Sequence, residues 1–352
     1  MLFAIILAGG RGERFWPKST RRNPKQLIPI IGETSMISTT CKRIFPMLKE
    51  DNIFIVAPKD LQDSILKTLP WMRGKNILKE PMGKNTALAI GYAAVSIERY
   101  DKDGIMIVLP ADHFIPDEKK FLNTLKVAID VAKKGYLVTF GIVPLRPETG
   151  YGYIEVNAEV IEAGKTPVYR SNAFKEKPNL RLAQRFVKSG KYLWNSGMFV
   201  WKISTIMDAF AQYMPELYDR LEKFRRSPTP EVLNRIYKAS PHISIDYGIM
   251  ERAKNVAVVR ADFMWDDVGS WLALERMKKK DKNGNVIDGG FIGTDTKDSI
   301  ILSDSGLIAT IGVDNLIIVR TENTTLVCKK SMAQEVRKIV SLLETNGLEK
   351  YL

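Results

Sequence analysis

Metal-binding and disulfide chemistry are nearly missing from this chain. It has two cysteines, Cys41 and Cys328, and two histidines, His113 and His242. They are far apart and lack metal-ligand spacing. An all-protein zinc site therefore has few candidate ligands, and nothing suggests a disulfide framework. A cytoplasmic, reducing setting fits. Long apolar runs are missing as well. The N-terminal stretch 2–7 is too short to cross a bilayer and has neither a basic flank nor a cleavage site, so it reads as a core strand, with no membrane role. There is no low-complexity segment and no RNA or DNA motif. The net charge of +13 suits anionic ligands such as nucleotides and also permits nucleic acid, but without such a motif no nucleic-acid partner is expected. Lys278-Lys279-Lys280, the densest basic run, reads as a solvated helix end. What is present is 352 residues, 45% hydrophobic and 26% charged, enough for about two domains with a large core.

The first part alternates short apolar runs at 3–7, 53–56, 105–109 and 136–140 with helical patterns at 36–44, 86–98 and 119–133. This alternation predicts an α/β domain with a mixed, mostly parallel sheet covered on both faces, whose ligands bind beyond the strand ends. From about residue 150 extra strands are expected near 152–156, 172–174 and 195–201, followed by helices from about 204 to 237. After about residue 282 short β-rich stretches separated by Asp, Gly and Asn suggest stacked coils. The last segment opens on Ser331-Met332-Ala333-Gln334, a capping-box pattern. Val336, Ile339, Val340 and Leu343 then form one apolar helical face. The expected division is 1–283 and 284–352.

The richest signal is Leu7-Ala8-Gly9-Gly10-Arg11-Gly12-Glu13-Arg14, followed by Asn23-Pro24-Lys25-Gln26. A buried strand ends in three glycines interleaved with two arginines. Glycine offers bare backbone N–H groups at close approach, and the cations supply charge for phosphate oxygens. The loop fits neither common template. A dinucleotide fingerprint from Gly10 needs glycine where Phe15 stands, and Lys18-Ser19 follows Pro17 rather than the glycine of a Walker A loop.

Five further segments matter, each with an ordinary structural reading beside the chemical one. Glu80-Pro81-Met82-Gly83-Lys84-Asn85-Thr86-Ala87 is a helix start with Asn85 as candidate N-cap, or a loop that reads a base. Leu109-Pro110-Ala111-Asp112-His113 and Trp265-Asp266-Asp267-Val268-Gly269 are turns, or two halves of a hard, oxygen-ligand Mg²⁺ site. Phe174-Lys175-Glu176-Lys177-Pro178 is a surface ion pair, or one carboxylate for sugar hydroxyls and one ammonium for a phosphate. Trp194-Asn195-Ser196-Gly197-Met198-Phe199 is a tight turn, or a sugar-ring contact. Gly150-Tyr151-Gly152-Tyr153 is a similar backbone-rich turn.

Taken in order, these segments resemble the sugar-1-phosphate nucleotidyltransferases. The resemblance runs through LAGGRGERFWPKS, NPKQ, EPMGKNTA, LPADH, FKEKP, WNSGMF, SIDYGIME and WDDVGSW over most of residues 1 to 275, and WNSGMF and SIDYGIME point to the mannose branch. It implies a Rossmann-like catalytic domain with a small left-handed β-helix-like C-terminal domain. It also implies an enzyme that uses Mg²⁺ to transfer GMP from GTP to mannose 1-phosphate, releasing GDP-mannose and pyrophosphate. The implied nucleotide site is Leu7, Ala8, Gly9, Gly10, Gly12, Arg14, Lys25, Pro110 and Asp112, together with Glu80, Pro81, Gly83, Asn85 and Thr86. Asn85 and the 80–83 loop face guanine. Arg14 and Lys25 lie nearest the reacting phosphorus, Asp112 and Asp267 hold the metal, and Gly152, Glu176, Lys177 and Asn195 hold mannose 1-phosphate.

Lys84 and Leu88 depart from the arginine and proline common in the family. The chain ends too early for the isomerase domain that many bacterial relatives carry, so a single activity is expected, in a cytoplasmic homodimer. Three other readings stay open at this point: the same chemistry on another sugar or base, a non-catalytic GDP-mannose-binding homologue, and a nucleic-acid-binding protein suggested only by the charge.

Overall fold

The computed structural model describes residues 1–162 and 166–352. It forms two compact units that interleave along the chain. The first is Met1–Gly9, Thr40–Ala111 and Ile115–Trp265; the second is Gly10–Thr39, Asp112–Phe114 and Asp266–Leu352. The second unit is thus larger than the 284–352 segment set apart in the sequence, because it includes the glycine loop and residues 266–283.

The first unit is built on a nine-stranded mixed sheet. Its strands are β1 (Leu2–Leu7), β2 (Ile53–Pro58), β3 (Ile77–Glu80), β4 (Ile105–Pro110), β5 (Leu137–Ile142), β6 (Gly152–Glu162), β7 (Val168–Lys175), β8 (Tyr192–Lys202) and β9 (Val256–Ala261). Their order is β3-β2-β1-β4-β8-β5-β9-β7-β6. From β3 to β4 all pairings are parallel. β8 then inserts antiparallel between β4 and β5. The strands that run parallel are buried on both faces, which is why 3–7, 53–56 and 105–109 read as unbroken apolar runs. Leu7 pairs with Pro110, so β1 and β4 end side by side.

The helix Thr86–Glu98 is apolar on nearly every side and sits wholly in the core, the position its composition demands. The segment 204–237 forms three helices, Ile203–Tyr213, Pro215–Arg226 and Pro230–Ala239. Proline opens the last two, at the position where a missing N–H costs nothing.

In the second unit β10 (Val286–Thr294), β11 (Ile300–Ile311) and β12 (Leu316–Arg320) stack in parallel, and β13 (Thr325–Lys329) returns antiparallel to β12. Val286, Ile300 and Ile317 fall in one register and are fully buried. This column of aliphatic side chains holds the coils of a β-helix-like stack together. The core below it includes Phe15, Trp16 and Trp271. Phe15 meets Trp271 edge-on with centroids 4.8 Å apart, a geometry worth about 1 kcal/mol beyond burial.

Two C-terminal expectations need correction. Ser331 does not cap the last helix: Lys330–Glu335 is a 3-10 turn and the helix is Val336–Thr345. Residues leaving β13 use the tighter turn first, so the capping box falls one turn too early. Ile339 lies outside the packed face, 36% exposed, while Val336 and Val340 are buried.

Candidate active site

The glycine loop belongs to two places. Leu7 ends β1, and Ala8 and Gly9 follow it in the first unit, whereas Gly10–Thr39 belongs to the second. Within the second unit, Arg11, Gly12, Arg14, Lys25, Asp112 and Asp267 line one cavity of about 540 Å³. Gly12 has φ +65°, and a methyl group there would collide with the Lys25 Cβ. The turn Glu13–Phe15 then starts, with Phe15 N–H donating to the Gly12 carbonyl at 2.9 Å. The Arg11 carbonyl accepts from Ser19 Oγ at 2.9 Å.

Lys25 is 4% exposed. Its Nζ donates to Asp112 Oδ2 at 2.8 Å and to the Asp267 carbonyl oxygen at 2.9 Å. It also lies 5.4 Å from the Phe15 ring centre. Burial of Asp112 opposes its ionisation, but the Lys25 ammonium, helped by His113, holds it below the usual carboxylate range. Arg14 Nη1 donates to the Gly269 carbonyl at 3.3 Å.

The two aspartates of Trp265-Asp266-Asp267 separate cleanly. Asp266 is 2% exposed and takes a two-pronged pair from Arg276, at 2.6 and 2.8 Å, plus the Val268 N–H. Asp267 lines the cavity and accepts from Gly269 N–H at 3.1 Å. Asp266 therefore anchors the turn and Asp267 faces the cavity. Asp112 and Asp267 both line the cavity and offer hard oxygen donors. That donor set fits a cation of the Mg²⁺ class, which takes one or two carboxylates and leaves its other positions to water and phosphate.

Replacing Gly12 with alanine puts a side chain into a left-handed conformation and against Lys25. We expect a stability loss of about 1–2 kcal/mol and roughly tenfold lower turnover. Urea denaturation and a rate assay on the same preparation check both; an unchanged rate would mean that the Lys25 position tolerates the displacement.

In the first unit the loop after β3 stands next to β1. Glu80 is 5% exposed, and its Oε1 accepts from Tyr237 OH at 3.1 Å. Burial pushes its carboxyl up to about 7, although the Tyr237 hydroxyl works the other way. The other oxygen, Oε2, comes within 3.2 Å of where a Cβ on Gly9 would be. Pro81 and Gly83 follow in the loop. Asn85 has φ +68° and its Oδ1 accepts from Thr86 N–H at 2.8 Å, so it does cap the helix. Thr86 Oγ1 accepts from Ile245 N–H at 2.9 Å, tying this loop to the SIDYGIME segment.

A second cluster in the first unit gathers Gly152, Glu176, Lys177, Asn195 and Asp246. Gly152 is in register with Asn195 across β6 and β8. Glu176 Oε2 presses against the place a Gly152 Cβ would take, so a side chain there would displace that carboxylate. Glu176 Oε1 pairs with Lys177 Nζ at 3.0 Å. Asn195 Oδ1 accepts from Thr139 Oγ1 at 3.1 Å, and its Nδ2 donates to Asp246 Oδ1 at 2.7 Å. Burial, then the neighbouring Glu176, raise the Asp246 carboxyl to about 6. Asp246 opens a short π-helical turn, Asp246–Met250, a form often found at functional sites. Sequence reasoning missed Asp246: SIDYGIME was singled out as a pattern, but nothing local marks its aspartate as the partner of Asn195, 51 residues away.

A family model described as nucleotidyl transferase matches residues 3–284. A second, described as MannoseP isomerase/GMP-like beta-helix domain, matches residues 289–343. The chain is 37% identical to a mannose-1-phosphate guanylyltransferase of Klebsiella pneumoniae, covering 100% of this chain and 76% of the relative. It is 40% identical to one from Salmonella muenchen, covering 98% and 74%. Among solved structures, one described as a mannose-1-phosphate geranyltransferase from Thermus thermophilus superposes with a TM-score of 0.89 at 33% identity, over 97% of this chain and 99% of that one. This chain therefore belongs to the nucleotidyl transferase family, in the group of the mannose-1-phosphate guanylyltransferases.

Proposed function

We propose that this chain is an enzyme that transfers GMP from GTP to α-D-mannose 1-phosphate, giving GDP-mannose and pyrophosphate. The observation that carries the reading is the identity of up to 40% with mannose-1-phosphate guanylyltransferases along nearly the whole chain, on a fold with a cation-lined cavity at its glycine loop. A phosphate oxygen of mannose 1-phosphate attacks the α-phosphorus of GTP. The bond from that phosphorus to the bridging oxygen breaks, and the electron pair leaves with pyrophosphate. The nucleophile is already an anion, so no strong base is needed. The obstacles are repulsion between two polyanions and charge growing on the leaving group.

The residues have distinct parts in this reading. Gly10, Gly12 and Arg14 hold the triphosphate, and Lys25 sits where the reacting phosphate needs a fixed cation. Asp112 and Asp267 would hold Mg²⁺, which would supply further charge neutralisation on the phosphates. Leu7, Ala8, Gly9 and Pro110, at the ends of β1 and β4, belong to the nucleotide-binding set in this reading. Glu80, Pro81, Gly83, Asn85 and Thr86 face guanine. Glu176 and Asn195 hold sugar hydroxyls, and Lys177 takes the phosphate of mannose 1-phosphate. Residues 1–283 form the catalytic part and 284–352 the β-helix-like part.

The reading places the enzyme in the cytoplasm as a homodimer. Two free cysteines suit a reducing compartment, and among the described residues no helix is long and apolar enough to cross a membrane. Ile339, Leu342 and Leu348 offer an exposed apolar strip at the C-terminus for a second copy.

Pyrophosphate release from GTP, mannose 1-phosphate and Mg²⁺, compared across other nucleotides and sugar phosphates, tests the assignment. A preference for another pair, or tight GDP-mannose binding without turnover, would overturn it. Gly152→Ala would push against the Glu176 carboxylate. It should raise KM for mannose 1-phosphate roughly tenfold with little change in KM for GTP; an equal rise in both would remove Glu176 from the sugar site.

A further inference from the structure

One wall of the second unit's cavity comes from a residue that none of the sequence motifs contains. Arg337, in the first turn of the C-terminal helix Val336–Thr345, lines the same cavity as Arg14, Lys25 and Asp112. It is exposed, and its guanidinium has no hydrogen-bond or ion-pair partner among the described residues. Glu335 on the same segment feels its charge, but an arginine with no direct partner on a cavity that already holds cations favours an anion with several charged oxygens, which the planar guanidinium can grip at two points.

The helix that carries it is firmly placed. Val336 and Val340 are buried in one cluster with Phe15 and Trp16. Trp16 Nε1 donates to the Tyr351 carbonyl at 2.9 Å, and Arg21 pairs with Glu344. Lys18 pairs with Asp304 of β11 at 2.7 Å. The C-terminal segment is thus fastened to the stretch of chain that bears Arg14. These contacts set the backbone of Arg337 on the cavity in fixed register with the glycine loop, while no hydrogen bond or ion pair among the described residues holds its guanidinium.

We propose that Arg337 is a phosphate-binding residue of the nucleotide site. Its guanidinium engages the β- and γ-phosphates of GTP and the pyrophosphate they become. Lys25 is almost wholly buried, whereas Arg337 is exposed, so it is the outer phosphates that reach it. The C-terminal helix then has a role in the reaction beyond packing on the β-helix-like coils. This inference rests on the proposed transfer from GTP.

The test uses the full chain as wild type, Arg337→Ala, Arg337→Lys and Lys338→Ala. Lys338 is the exposed neighbour that pairs with Glu335 on the same segment at 2.7 Å and does not line the cavity. Steady-state rates give KM for each substrate, and calorimetry gives the affinity for pyrophosphate without turnover. Arg337→Ala should raise KM for GTP and weaken pyrophosphate binding about tenfold, with KM for mannose 1-phosphate and the melting temperature unchanged. Arg337→Lys should restore part of the loss, and Lys338→Ala should resemble wild type. Wild-type values for Arg337→Ala overturn the proposal, as does a loss shared equally by both substrates and accompanied by a lower melting temperature. A wild-type protein that releases no pyrophosphate would overturn the functional reading instead, and the calorimetric comparison would still judge Arg337.

Discussion

Lys25→Ala should lower turnover by on the order of a hundredfold or more, while KM for GTP changes far less. The asymmetry follows from where the ammonium sits. It is almost fully buried and held at 2.8 and 2.9 Å by Asp112 and the Asp267 carbonyl, so it is oriented before substrate arrives and loses little in reorganising. A charge fixed in this way is most valuable where negative charge is growing. In the proposed site, ground-state binding of GTP is shared with Arg14 and the backbone N–H groups of the loop, so it should survive better. The substitution also removes the cation that holds Asp112 below the usual carboxylate range. The Asp112 carboxyl should then titrate higher, and activity should fall off sooner on the acidic side. Single-turnover rates at saturating GTP, measured across pH, separate these effects. Near-normal turnover would remove Lys25 from the chemistry; a rise in KM for GTP at constant turnover would make it a binding group only.

The parts of this site that the sequence revealed are those made within a few residues. β1 and the glycine loop are contiguous, and Asp112 follows directly from β4, so an apolar run ending in glycine or aspartate announces them. Asp266 and Asp267 announce a turn, and both do accept the backbone N–H two residues on. Which of them faces the cavity depends on Arg276, whose pairing with Asp266 is a tertiary fact. The antiparallel insertion of β8 was illegible for the same reason: strand order is settled by packing across the sheet, and an apolar run carries no record of its neighbours. Arg337 reads as one more charge on an amphipathic helix until the burial of Val336 and Val340 beside Phe15 brings it to the glycine loop. Asp246 has the same character: an ordinary acid in the sequence, it becomes unusual only when burial raises it to about 6. Glu80 was marked by its motif, but the burial that raises it to about 7 is a tertiary fact.

Glu80→Gln should make the protein more stable at pH 8 by about 3 kcal/mol and less selective for guanine. The carboxyl of Glu80 is raised from an ordinary 4.5 to about 7 because burial disfavours its charged form. An acid raised on folding binds more protons in the folded than in the unfolded chain between those two values. Stability from this group is therefore greatest below pH 4.5, falls as the pH rises, and is fully lost above pH 7. Glutamine mimics the protonated form and keeps an oxygen to accept from Tyr237 OH, so it escapes the cost of burying an anion. The gain over wild type should appear between pH 5 and 7, level off by pH 8, and vanish near pH 4. Urea denaturation across that range measures it, and equal stability at pH 8 would mean that the carboxylate is solvated in the folded state. A buried anion that weakens the fold at neutral pH calls for a compensating use. In the proposed site that use is base recognition. A carboxylate only accepts hydrogen bonds, and the edge of guanine that carries its 2-amino group donates them, whereas the glutamine amide adds a donor. Turnover with GTP relative to ATP should fall in Glu80→Gln, by roughly tenfold for one lost charged hydrogen bond. If the preference for GTP were unchanged while the stability gain appeared, Glu80 would be a strained core residue beside the nucleotide and the base would be read by the backbone of the 80–83 loop.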